Sequence, residues 1–146
     1  MGLFDLFRRK QPTALDALRA TPGFGELDAV QLLMRRMSQE GDGVDADEIP
    51  GGIGEFGLSS RNHVPTDSIL GSTAYLGCLR AEDGARVIYR RQGSTITDNA
   101  PGPVDIYALS HPDGRGLGTV YLCPYHKRIS RKAPRGFTLS SSSLAR

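Results

Sequence analysis

The sequence predicts an α+β domain in which N-terminal helices pack on an antiparallel β-meander of about four strands. Three observations carry that expectation. Apolar residues at Leu27, Val30, Leu33, Met34 and Met37 recur with helical spacing in the first third of the chain. The second half changes to short runs rich in Val, Ile, Leu and Tyr, separated by glycine-containing turns. The whole chain has 146 residues, of which 38% are hydrophobic and 23% charged, a balance that allows one core without disulfide or metal staples.

In chain order, Leu3, Phe4, Leu6 and Phe7 lie on one side of a short amphipathic turn, opposite Asp5, Arg8 and Arg9, until Pro12 interrupts it. Thr13 to Ala20 reads as a brief helix, and the run TPGFG at 21–25 breaks the chain again. Glu26 to Glu40 is the longest predicted helix, with Glu26 and Asp28 in its first turn and Gly41 at its stop. Residues 41–68 hold eight prolines and glycines among many acids, which predicts a long loop. Thr73 to Arg80 and Arg86 to Arg91 then flank the turn AEDGA as a first hairpin. Val104 to Ser110 and Leu117 to Cys123 flank HPDGRG as a second. The resulting organisation is an amphipathic and linker segment at 1–25, a single domain at 26–137 and a disordered, serine-rich tail at 138–146.

Cys78 and Cys123 stand in hydrophobic surroundings and read as buried thiols in a reducing compartment. The few apolar residues before Arg8-Arg9-Lys10 do not make a secretory signal, and no run is long enough to span a bilayer, so the expected location is the cytoplasm. Residues 2–10 suit at most a weak peripheral contact with an anionic membrane surface.

The net charge of +2 conceals a strong asymmetry. Five acids and no base occupy 41–57, whereas six bases and no acid occupy 126–146. Such a division predicts either a charged partner or pairing between the two segments.

Within the acidic loop, GIGEFG at 52–57 fits the spacing G-x-G-x-x-G of phosphate-binding turns. Neither a buried strand before it nor a helix after it is present in the sequence, and the surrounding carboxylates repel phosphate. The expected role is a tight loop in which Ile53 and Phe56 pack inward and the glycines take unusual backbone angles. In the basic segment, Tyr121, Tyr125 and Phe137 alternate with Lys127, Arg128, Arg131, Lys132 and Arg135, a composition suited to phosphates and stacked bases. No RNA-recognition, KH or zinc-finger pattern accompanies it.

Cys123 and His126 suggest a nucleophile with its base, oriented by Asp105, or the start of a metal site completed from Cys78, His63 and His111. Residues three apart on an extended strand face opposite ways unless Pro124 bends the chain, so neither arrangement is expected. Alternation in the strand at 104–110 sends Val104 and Ile106 to the core and Asp105 and Tyr107 to the polar face, where Arg80, Arg90 or Arg91 is within reach of the carboxylate.

The sequence therefore points to a non-enzymatic protein-binding or adaptor module without cofactor or metal. Its expected contact residues are Glu55, Phe56, Tyr125, Lys127, Arg128, Arg131, Lys132 and Arg135. The alternatives are nucleic-acid binding through 121–137 and a small cysteine-dependent enzyme.

Overall fold

The HPDG turn at 111–114 shows how local sequence sets the sheet. His111 N–H bonds the Arg115 carbonyl at 2.8 Å and Gly114 N–H returns to the His111 carbonyl at 2.8 Å. Gly114 takes φ 97°, a conformation that costs glycine little and other residues much. In the computed structural model, which describes residues 41–140 together with 29, 30, 32, 33 and 36, the elements run β1 (Val64–Pro65), α1 (Ile69–Cys78), β2 (Leu79–Arg80), β3 (Ile88–Thr95), β4 (Val104–Ser110), β5 (Gly116–Cys123) and β6 (Thr138–Leu139). A 3₁₀ turn, Ser60–Asn62, precedes β1.

The main sheet has the order β1-β5-β4-β3. The β3–β4–β5 part is antiparallel, with a bulge in β3 between Arg91 and Gly93. β1 joins the other side of β5 in parallel, pairing Val64 with Leu122 and Pro65 with Cys123. A second small sheet pairs β2 with β6. Thr138 and Leu139, which the sequence assigns to the tail, therefore form a strand, and Ser140 N–H bonds the Cys78 carbonyl at 2.8 Å.

This architecture corrects the expected fold of N-terminal helices on a four-stranded antiparallel meander. The sheet is mixed, and the helix that packs on it is α1, formed by residues read from sequence mostly as a strand. Ser68 caps α1 by accepting the Gly71 N–H on its hydroxyl at 2.9 Å, and Tyr75 and Leu76 follow Ser72 by three and four residues on its buried side, with buried Leu79 at its C-cap. The pattern of short runs rich in Val, Ile, Leu and Tyr predicts a strand here, and the Ser68 cap with the buried three-and-four spacing outweighs it. Within 26–40, Ala29, Val30, Leu32, Leu33 and Arg36 are helical. The rest of that stretch, the turn at 2–9 and the helix at 13–20 lie outside the described residues.

Tyr75 and Leu76 of α1 pack with Val64, Tyr107, Leu109, Val120 and Leu122 of the sheet and with Phe56, Leu79 and Val87. Fully burying a leucine such as Leu76, Leu79 or Leu122 contributes about 2 kcal/mol each. The inward face of β4 is consequently Asp105, Tyr107 and Leu109, the reverse of the expected alternation, although Val104 at the strand's first position is also buried. Tyr107 and Leu109 offer the sheet more apolar area than Ile106, and Asp105 is accommodated because the Arg91 guanidinium reaches its carboxylate at 3.0 Å. Arg80 instead donates to the carbonyls of Gly77 and Leu79. Among the described residues no helix is long and apolar enough to cross a membrane.

Candidate functional site

The parallel pairing of β1 with β5 brings together residues that lie far apart in sequence. His63 immediately precedes β1, and Cys123 ends β5. Pro124 and Tyr125 then turn the chain, and His126 N–H bonds the Thr66 carbonyl at 2.9 Å, which folds His126 back over Cys123. The Cys123 sulfur and one ligating nitrogen from each histidine lie within 4.8 Å of one another, and all three residues are buried. The bend at Pro124 thus overcomes the opposite facing expected of residues three apart. His63 was the member that sequence spacing did not select.

Hydrogen-bond partners fix the proton positions in this cluster. The Ser60 carbonyl only accepts, so His63 donates to it from Nδ1 at 3.1 Å. The Val44 N–H only donates, so His126 accepts it on Nδ1 at 2.9 Å and carries its own proton on Nε2. That Nε2–H donates to His63 Nε2 at 2.9 Å. A directed chain results, running from the Val44 N–H through two neutral imidazoles to the Ser60 carbonyl, with one proton between the rings. Burial pushes both histidines below their usual value, His126 to about 4 with the His63 ring as the second cause.

The chain decides what the cluster can do. His63 has the form of a metal ligand, its outer N–H held by a carbonyl and its Nε2 presenting a lone pair. His126 does not, because the atom that would face an ion carries the proton and Nδ1 is occupied by a donor. Burial also pushes the Cys123 thiol up to about 11, and its sulfur lies 3.8 Å from the Gly102 carbonyl oxygen. The set therefore fits a shared proton better than a metal ion, and the neutral thiol lacks the activation that cysteine nucleophiles require.

The acidic loop and the basic segment meet directly beside this cluster. Arg128 reaches Asp45 at 2.9 Å and Asp47 at 2.6 Å, Lys132 reaches Glu48 at 3.0 Å, and Arg135 reaches Glu55 at 3.1 Å. Asp47 also accepts the Arg131 N–H at 2.8 Å, and these bonds hold its carboxyl below the usual range. The Lys127 N–H bonds the Val44 carbonyl, and Ser130 Oγ–H bonds the Asp47 carbonyl at 2.7 Å. Tyr125 is half-buried and lines a cleft with Asp105. Phe56 is in the core, with the Lys132 ammonium 5.0 Å from its ring centre. Of the contact residues expected from sequence, Arg128, Lys132, Arg135 and Glu55 thus sit in ion pairs along a seam between the two segments, with Arg131, Lys132, Arg135 and Glu55 exposed to solvent.

The GIGEFG loop is closed on itself. Ile53 N–H and Gly57 N–H bond the carbonyls of Arg61 and Asn62, and the Asn62 amide donates to the Gly54 carbonyl at 2.8 Å. Phe56 packs inward as expected, but Ile53 is 54% exposed. The loop folds around the 3₁₀ turn and does not open a helix.

Away from the seam, β3 ends the main sheet, and its residues are exposed or half-buried throughout. Ile88 is 53%, Tyr89 37% and Ile96 83% exposed, so three of the large exposed hydrophobics lie on or next to one strand. Comparison with protein-family models, with curated proteins and with solved structures finds no match to this chain.

Proposed function

We propose that this protein is a non-enzymatic protein-binding module whose contact surface is the β3 flank of the sheet. The observation that carries this reading is the exposure of Ile88, Tyr89 and Ile96 together on that flank. The reading keeps the binding class expected from sequence and moves its surface. In the seam, the charges of Arg128, Lys132 and Arg135 already meet carboxylates, which weakens the case for an external polyanion there. The raised Cys123 thiol and the neutral histidine pair weigh against cysteine chemistry.

The test is a photo-crosslinking amino acid placed singly at Ile88, at Ile96 or, as a control, at Arg131, in the full-length protein in cells. Arg131 follows Ser130, whose N–H bonds the Pro65 carbonyl of β1 at the opposite edge of the sheet. The expected outcome is a discrete adduct from positions 88 and 96 and none from 131. Adducts from all three positions alike, or from none, would overturn the assignment.

A further inference from the structure

The exposed edge of β3 specifies the chemistry of what it binds. Among the described residues, β3 pairs only with β4, so the backbone groups on its outer side have no strand partner. Such an edge is a template for another strand. Residues 86–96 contain Arg86, Arg90 and Arg91 and no acid. Arg91 is engaged by Asp105, which leaves Arg86 and Arg90 as exposed cations on the strand and its approach.

From this charge pattern we infer that β3 takes an acidic, extended peptide segment as an added strand. The inference rests on the binding-module reading above and names the partner's chemistry. A second copy of the chain is the less suitable occupant, because β3-to-β3 pairing brings the Arg90 and Arg91 pairs of both copies within a strand spacing of each other. An acidic strand meets the same cations with opposite charge. The bulge between Arg91 and Gly93 breaks the regular ladder, another device that discourages indiscriminate edge pairing.

The inward face of β3 adds a recess for an apolar side chain of the incoming strand. Tyr89 packs edge-on against Tyr107 with ring centres 6.0 Å apart. Beyond them, Ile69, Pro103, Tyr107 and Tyr125, together with the Arg91–Asp105 ion pair, line a cleft of about 260 Å³ beside the strand. In strand addition, backbone bonds supply much of the affinity and such recesses read alternate side chains. The expected ligand alternates acidic and apolar residues.

Panning the full chain against a randomised twelve-residue peptide library tests the proposal. Selected peptides should be enriched in Asp and Glu and should protect the amides of Ile88–Thr95 from hydrogen exchange. Methylating alternate backbone nitrogens of a selected peptide should abolish binding, and Arg90→Glu should weaken it roughly tenfold at unchanged melting temperature. Peptides that bind elsewhere, tolerate backbone methylation or lack acidic enrichment would overturn strand addition, while the adducts at Ile88 and Ile96 would still support the module. Concentration-dependent dimers that protect the same amides would identify a second copy as the occupant and overturn the acidic peptide. No selected peptide and no adduct would overturn both readings.

Discussion

His63 and His126 share a single proton between Nε2 atoms 2.9 Å apart, and each ring is fixed at its other end by a backbone group that cannot reverse its role. A second proton has no acceptor there. On His126 it would face the Val44 N–H, and on His63 it would face the proton already donated by His126. The pair therefore behaves as a neutral strut between β1, the loop at 41–49 and the segment after β5. The titrating or charged groups around it include the Cys123 thiol, neutral because burial raises it, and the Asp42 and Asp98 carboxylates in the cleft that His126 also lines.

Stability should fall as the pH drops through the histidine range. His126 titrates at about 4 in the folded protein against 6.5 as its ordinary value, so between those values the unfolded chain binds more protons. Its contribution is complete above 6.5 and is lost progressively toward 4. Urea unfolding should show a loss of roughly 2 kcal/mol between pH 7.5 and pH 5, and His126→Gln should remove most of that dependence while lowering stability at neutral pH. The Asp47 contribution lies in a separate window: its folded carboxyl is lowered from 3.8, so that stability is present above 3.8 and lost below it. A flat profile from pH 7.5 to 5 would contradict the neutral pair.

The seam should be worth little as ion pairs and more as a hydrogen-bonded clamp. Asp47→Ala removes the acceptor of both Arg128 and the Arg131 backbone N–H, and the expected cost is about 1 kcal/mol, reduced by the partial exposure of both side chains. Asp45→Asn, whose carboxylate meets only the Arg128 side chain in the seam, should cost less in the same denaturant titration.

Anisotropy with labelled single-stranded RNA should report weak binding at near-physiological salt. Asp45→Asn combined with Glu48→Gln frees positive charge on Arg128 and Lys132, and the double variant should bind more tightly with a steeper salt dependence. Tight binding by the unaltered chain would make nucleic acid the leading reading.

Tyr75→Phe should destabilise the protein by about 1–2 kcal/mol in thermal or urea unfolding. The hydroxyl of this fully buried residue donates to the Lys132 carbonyl at 2.7 Å, and its removal leaves that acceptor without its tyrosine partner where α1 meets the basic segment.

Cys123 should resist thiol reagents in the folded state. With its thiol pushed up to about 11, only on the order of one molecule in a thousand is thiolate at pH 8. Both cysteines are buried, so labelling should be slow in buffer and rapid in urea. Fast stoichiometric labelling of the folded protein would revive the enzyme reading.

Much of the sheet was legible because its signals are local. Alternating apolar runs and a turn of His-Pro-Asp-Gly type place β4 at Val104–Ser110 and β5 almost to the residue, since neighbours in sequence determine both. The helix α1 was missed because tyrosine and leucine occur in strands and helices alike, the glycines weaken a helical pattern over ten residues, and its cap is a single serine. The facing of β4 was misread because alternation defines two faces without saying which is inward. Leu109 and Tyr107 decide that only once α1 lies over them.

The sequence by itself determined the charge division between 41–57 and 126–146, the second hairpin and the presence of one apolar core. Tertiary structure alone decided that the two charged segments clamp each other, that His63 meets His126 beside Cys123, and that the open edge is β3. Those outcomes depend on the parallel pairing of β1 with β5, a contact between positions some sixty residues apart. Hydrophobic pattern and turn chemistry act over a few residues and carry no record of which distant segments will meet.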